Sequence, residues 1–164
     1  MEPDLLAQVQ ALLNLCRSKQ LRIATAESCT GGLVAATLTE VAGSSDVFDR
    51  AFVTYSNTAK EAMLGVDPQM FLLYGAVSRE IAEAMVNGAL ARAPVDLVVA
   101  VTGIAGPWGE SAAKPVGLVH FAAASRRGQA LHEEHRYGNV GRSVVRQACV
   151  AQSLGMLLHL ADRE

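Results

Sequence analysis

The stretch Leu21-Arg22-Ile23-Ala24-Thr25-Ala26-Glu27-Ser28-Cys29-Thr30-Gly31-Gly32-Leu33-Val34-Ala35-Ala36 decides the fold. Its first six residues are short and mostly apolar and read as a strand that stops at a turn of small polar residues and glycines. From Thr30 to Val41 the spacing is helical, with Gly31 and Gly32 expected in the first turn. Upstream, Leu5, Leu6, Val9, Leu12, Leu13 and Cys16 recur at helical spacing, so residues 4–19 are expected to form an amphipathic helix. Downstream, 51–55 reads as a second strand, 57–64 as a short helix, and Pro68 opens another helical piece. Ser78 is placed as the N-cap of a helix reaching about Ala91. The nearly continuous apolar run 95–102 has the pattern of a strand buried on both faces. Segments 116–124 and 130–137 follow as a hairpin joined through Arg126-Arg127-Gly128, and 142–161 is a long final helix. Strands alternating with helices imply an α/β fold: a three-layer α/β/α domain over residues 1–164 with a mixed, mostly parallel sheet.

Composition narrows the function classes. The 164 residues are 51% hydrophobic but only 5% aromatic, so a sizeable core must be built mainly from Ala, Val, Leu and Ile. A net charge of −2 supplies no electrostatic reason to bind nucleic acid. Cys16, Cys29 and Cys149 are widely spaced and odd in number, which argues against a disulfide framework or a zinc cluster and for a reducing compartment. No basic start precedes an apolar run, and the longest apolar stretch, around 95–101, carries Asp96 and is short for a bilayer. A cytoplasmic protein with no membrane partner is therefore expected. The high apolar fraction for this length also leads to the expectation of a homo-oligomer.

Chemistry in open α/β sheets gathers where strands end and loops begin. Two such loops here are rich in small residues, Glu27 to Gly32 and Thr102 to Pro107. The first precedes a helix, so its amides favour an anion or a developing oxyanion; it is equally readable as a plain capped turn, with Ser28 or Thr30 as the cap. Neither loop has the spacing of a nucleotide fingerprint. Lysine is scarce, only Lys19, Lys60 and Lys114 against eleven arginines, and Lys60 follows the second strand at the edge where the first loop emerges. Held near a serine in a partly dry pocket, such a lysine can act as a base; on a short helix it can equally be solvated. Arg142 and Arg146 share a face at the start of the last helix, an unfavourable place for cations, and read either as an anion clamp or as an exposed turn. His120, His132, His135 and His159 make no metal-binding pattern, and neither a metal nor a cofactor is expected. Cys29 has no histidine nearby in sequence to activate it and reads as a small buried thiol.

Five segments then occur in order: Ala26-Glu27-Ser28-Cys29-Thr30-Gly31-Gly32, Phe52-Val53-Thr54-Tyr55-Ser56-Asn57-x-x-Lys60, Gly75-Ala76-Val77-Ser78, Thr102-Gly103-Ile104-Ala105-Gly106-Pro107 and Lys114-Pro115-Val116-Gly117. Together they resemble the C-terminal domain of the CinA family over about residues 5–160. The family's stand-alone members are nicotinamide-nucleotide amidohydrolases, which convert nicotinamide mononucleotide to nicotinic acid mononucleotide and ammonia. The resemblance implies Ser28 as nucleophile, Lys60 as general base and Tyr55 as an assisting group. It implies that Cys29, Thr30, Gly31, Gly32, Thr102, Gly103, Ile104, Ala105, Gly106 and Arg142 bind the substrate, with amides of residues 29–31 holding the oxyanion. The implied partner is that small molecule, with no metal. The chain departs from the family pattern in two places. Gly141 stands where an aspartate usually precedes the arginine, and Trp108 stands where an acidic residue is usual. A non-catalytic nucleotide- or partner-binding module of the same fold, or an amidase for another carboxamide, shares all of these features except a need for Ser28 and Lys60 to meet.

Overall fold

The computed structural model describes residues Met1–Glu164. The chain runs α1 (Pro3–Lys19), β1 (Ile23–Glu27), α2 (Leu33–Thr39), a 3-10 turn at Ser44–Asp46, β2 (Phe48–Val53), α3 (Asn57–Leu64), α4 (Pro68–Tyr74), α5 (Arg79–Arg92), β3 (Leu97–Gly103), β4 (Leu118–Ser125), β5 (Ala130–Arg136) and α6 (Arg142–Arg163). Caps set several of these limits, and the one at Ser78 is as the sequence predicts. Ser56 and Ser78 each accept a backbone N–H three residues on, opening α3 and α5. Gly65 closes α3 in the left-handed conformation.

Helix α2 departs from its expected range. Gly31 and Gly32 are not in its first turn; both have positive φ, +56° and +97°, and lie in the turn before it. Left-handed backbone at two successive residues is incompatible with an α-helical turn, so the helix waits until Leu33. Neither Ser28 nor Thr30 caps it.

The strands form one sheet in the order β2-β1-β3-β4-β5. β1 is parallel to both β2 and β3, and β4 is antiparallel to β3 and β5, so all but β4 point the same way. The sheet is thus mixed and mostly parallel. Alternation along each strand divides its side chains between two cores. Ile23, Leu97, Val99, Val101, Val119 and Phe121 face α1, α2 and α6. Ala24, Ala26, Val98, Ala100 and Ala122 face α5 and the end of α3. The alanine-rich face lets α5 lie close to the sheet.

Helix α6 is long and apolar enough, by length and composition, to cross a bilayer, a feature the strand-centred reading passes over. Here it packs instead, burying Val145, Cys149, Leu154, Leu157 and Leu160 against β3, β4 and α1. Each such side chain removed from water contributes about 1.5–3 kcal/mol.

This arrangement positions the site. β1, β2 and β3 are parallel neighbours and end at one edge. From β1 the chain passes to β2 on one side and later returns to β3 on the other, so the loops after β1 and β3 open a crevice between them.

Candidate active site

Ser28 is the first residue beyond β1. Its own N–H donates to Val101 O at 2.9 Å, which pins it to the end of β3. Lys60 lies in α3 and reaches back under this loop. Its Nζ is 2.9 Å from Ser28 Oγ and 2.9 Å from Thr54 O, and the side chain is only 1% exposed. Burial pushes the Lys60 amine down to about 8, partly opposed by negative charge on Cys29. The hydrogen-bond inventory points the same way. An ammonium carries three donors and meets only two acceptors here. A neutral amine donates to Thr54 O and offers its lone pair to the Ser28 hydroxyl.

The loop is held by Glu27, whose role as a brace the sequence does not signal, and by Arg146, which proves to be neither an anion clamp nor an exposed turn. Glu27 is fully buried and fills the N-terminus of α2. Its carboxylate accepts from Gly32 N (3.2 Å), Val34 N (2.9 Å), Ala35 N (3.0 Å) and Thr25 Oγ1 (2.9 Å). The anion at this helix terminus is therefore the chain's own. Gly31 N donates to Ser28 O at 3.0 Å, so the amides of Gly31 and Gly32 are both spent inside the loop. The expectation that they hold substrate is corrected: only Cys29 N and Thr30 N donate to no other residue. Arg146 braces the loop from α6, donating to Cys29 O at 3.2 Å and Thr30 O at 2.9 Å. No local pattern signals either brace. Glu27 caps from the preceding strand rather than from an N-cap position, and Arg146 acts across more than a hundred residues.

Cys29 is buried beside the nucleophile. The Cys149 thiol donates to it, and that bond outweighs burial to pull the Cys29 thiol below its ordinary range, with Arg146 and Lys60 adding positive charge. Cys149 is pushed up correspondingly. Thr30 Oγ1 and Thr54 Oγ1, in the two segments that carry the dyad, are buried without a hydrogen-bond partner.

A cleft of about 240 Å³ opens over Ser28, lined by Cys29, Tyr55, Gly103, Ile104, Ala105, Gly106 and Arg142 from the expected set, together with Trp108 and Gly109. Thr30, Gly31, Gly32 and Thr102 do not line it. Thr102 turns to the other face of the sheet, where its hydroxyl donates to Ala76 O at 2.8 Å. A larger recess of about 670 Å³ between α1, α2 and Gln147 does not reach Ser28, so chemistry rather than size selects the smaller one. Tyr55 is 60% exposed, and its hydroxyl accepts from Arg142 Nη2 at 2.7 Å rather than bonding to Ser28 or Lys60. Arg142 Nη1 donates to Gly106 O at 2.9 Å, so this residue ties the loop after β2 to the loop after β3. Gly141 has φ +107° and supplies no side-chain cap; Tyr55 and Gly106 orient Arg142 in its stead. Away from the cleft, His120 Nδ1 and His132 Nε2 pair at 2.9 Å, while His135 stacks on Tyr137.

Fold and site define a three-layer α/β protein that holds a serine against a buried lysine at the carboxyl edge of its parallel strands. The chain belongs to the CinA family: the family's C-terminal domain matches residues 6–161. A CinA-like protein of Syntrophobacter fumaroxidans is 47% identical over 146 residues, 89% of this chain but 34% of that protein, so the chain spans about a third of its length. A nicotinamide-nucleotide amidohydrolase, PncC, of Enterobacter agglomerans is 46% identical over 134 residues, 82% of each chain. Among solved structures, the competence/damage-inducible protein CihA of Agrobacterium tumefaciens superposes with a TM-score of 0.96 at 51% identity, covering 98% of this chain and 97% of that one.

Proposed function

We propose that this protein is an amidohydrolase that deamidates nicotinamide mononucleotide through an acyl-enzyme on Ser28. The observation that carries the reading is the 2.9 Å contact between Ser28 Oγ and the amine of a lysine 1% exposed. Binding alone requires no such pair. Similarity to the Enterobacter agglomerans amidohydrolase supports the substrate class.

Lys60, neutral, takes the proton of Ser28 as the hydroxyl oxygen attacks the carboxamide carbon. The amide of Cys29, which lines the cleft, receives the oxyanion; one such donor contributes about 3 kcal/mol in well-studied hydrolases. The proton on Lys60 passes to the leaving nitrogen, ammonia departs, and water, deprotonated by the same amine, cleaves the ester to free Ser28. Arg142 retains three N–H donors beyond the two it spends on Tyr55 and Gly106, which suits it to the substrate phosphate. Tyr55 acts through Arg142 as a positioning group.

The test is ammonia release from nicotinamide mononucleotide by purified protein, with and without chelator. Release insensitive to chelator is the expected result. No release from this substrate, with release from another carboxamide, replaces the substrate and keeps the mechanism; no release from any carboxamide leaves a binding module and overturns the proposal.

A further inference from the structure

Trp108 is the chain's only tryptophan, stands 81% exposed, and lines the same cleft as Ser28. The loop that carries it is anchored just upstream. Ile104 pairs with the start of β4 through Ile104 N to Leu118 O at 2.9 Å and Gly117 N to Ile104 O at 2.7 Å, and Gly106 O is held by Arg142 at 2.9 Å. The loop also packs tightly: a side chain at Gly106 would put its Cβ 2.6 Å from Val116 Cγ1. The indole is thus presented to the cleft two residues beyond an anchored turn, which limits the ordering cost of binding there. Leu72 and Leu73 on α4 are comparably exposed, but they do not line this cleft.

Charge narrows the ligand. No carboxylate lines the cleft, and Arg142 is its one cationic lining residue. A positively charged ring entering here meets no carboxylate. The indole face of Trp108 supplies negative potential instead, and tryptophan is the strongest of the aromatic partners for a cation. We infer that Trp108 is a ring-binding subsite whose indole face receives a planar, cationic N-substituted pyridinium. This rests on the proposed function and deepens it: the residue selects the charged ring and holds its carboxamide toward Ser28, acting on binding rather than on bond cleavage.

Because the chain has one tryptophan, its emission reports this contact alone. Ser28→Ala protein titrated with nicotinamide mononucleotide is expected to lose fluorescence saturably, whereas ribose 5-phosphate, which lacks the ring, leaves the emission unchanged. Calorimetry is expected to give the uncharged dihydropyridine form about tenfold weaker affinity than the cationic ring. In the active protein, Trp108→Leu raises KM about tenfold with kcat within about twofold, and Trp108→Phe recovers part of the loss. A linear, non-saturating loss of emission, equal affinity for the neutral ring, or a wild-type KM in Trp108→Leu would each overturn the subsite. Ammonia release with an unchanged KM in that variant removes this inference alone. Absence of ammonia release from the wild-type protein removes the proposed function, while saturable quenching still tests the subsite.

Discussion

The loops after β1 and β3 leave the same edge of the sheet and face one another across the cleft, yet they are built in opposite ways. In the first, residues 27–32, side chains do the fixing: Glu27 binds three amides, Arg146 binds two carbonyls, and Lys60 holds Ser28 from beneath. In the second, residues 103–109, the backbone pairs with its neighbours, glycines allow it to pack closely, and the one large side chain is left in solvent. A reacting atom placed to within a fraction of an ångström needs several buried restraints that agree. A surface that selects a ligand needs only a rigid edge and an exposed face. Substitutions in the first loop should therefore act on kcat, and substitutions in the second on KM.

The largest effect tests the dyad itself. Ser28→Ala and Lys60→Met are each expected to lower kcat by roughly 10⁴-fold or more while circular dichroism stays native. Near-normal turnover in Lys60→Met would break the comparison at its root. Glu27→Gln comes next. An amide NH₂ turned toward the N–H groups of α2 leaves buried donors unpaired, costing about 1–3 kcal/mol of stability in a thermal melt. The accompanying loop shift is expected to reduce kcat by up to about 100-fold at little change in KM.

A pH series gives the third effect. With the Lys60 amine near 8, kcat/KM should climb about tenfold per pH unit below that value and level off above it. The same group leaves a signature in stability. Its folded value lies below the ordinary 10.5, so the unfolded chain binds more protons between about 8 and 10.5. Stability relative to Lys60→Met should rise across that window, by about 3 kcal/mol in all, and be flat below it. The smallest effect belongs to the second loop: Trp108→Leu should change unfolding stability by less than about 0.5 kcal/mol, since the indole is solvated. A larger loss would mean that the exposed face supports the fold.

Much of this was legible in the residues. α3 occupies the predicted 57–64, and the hairpin turn falls at Arg126-Arg127-Gly128, because a serine cap and a glycine in a short polar turn are local signals. Ser28 and Lys60 were singled out because each stands just beyond a strand, at the edge where loops converge. The extent of α2 was not legible, since its start depends on the φ of two glycines set by Glu27 and the end of β1. Gly88 is a similar case. In sequence it is a weak point within α5, yet a Cβ there would lie 2.1 Å from Leu64 O, so the glycine is what lets α3 dock.

By itself, then, the sequence determined which segments are strands and helices, and which few residues have the chemistry to act, because periodicity and residue type are properties of short windows. Tertiary structure decided that Lys60 is stripped of water against Ser28, that the free amides are those of Cys29 and Thr30, and that Arg142 answers to Tyr55 and Gly106. Those outcomes depend on desolvation and on contacts between residues dozens of positions apart, which exist only once the sheet has brought its strand ends together.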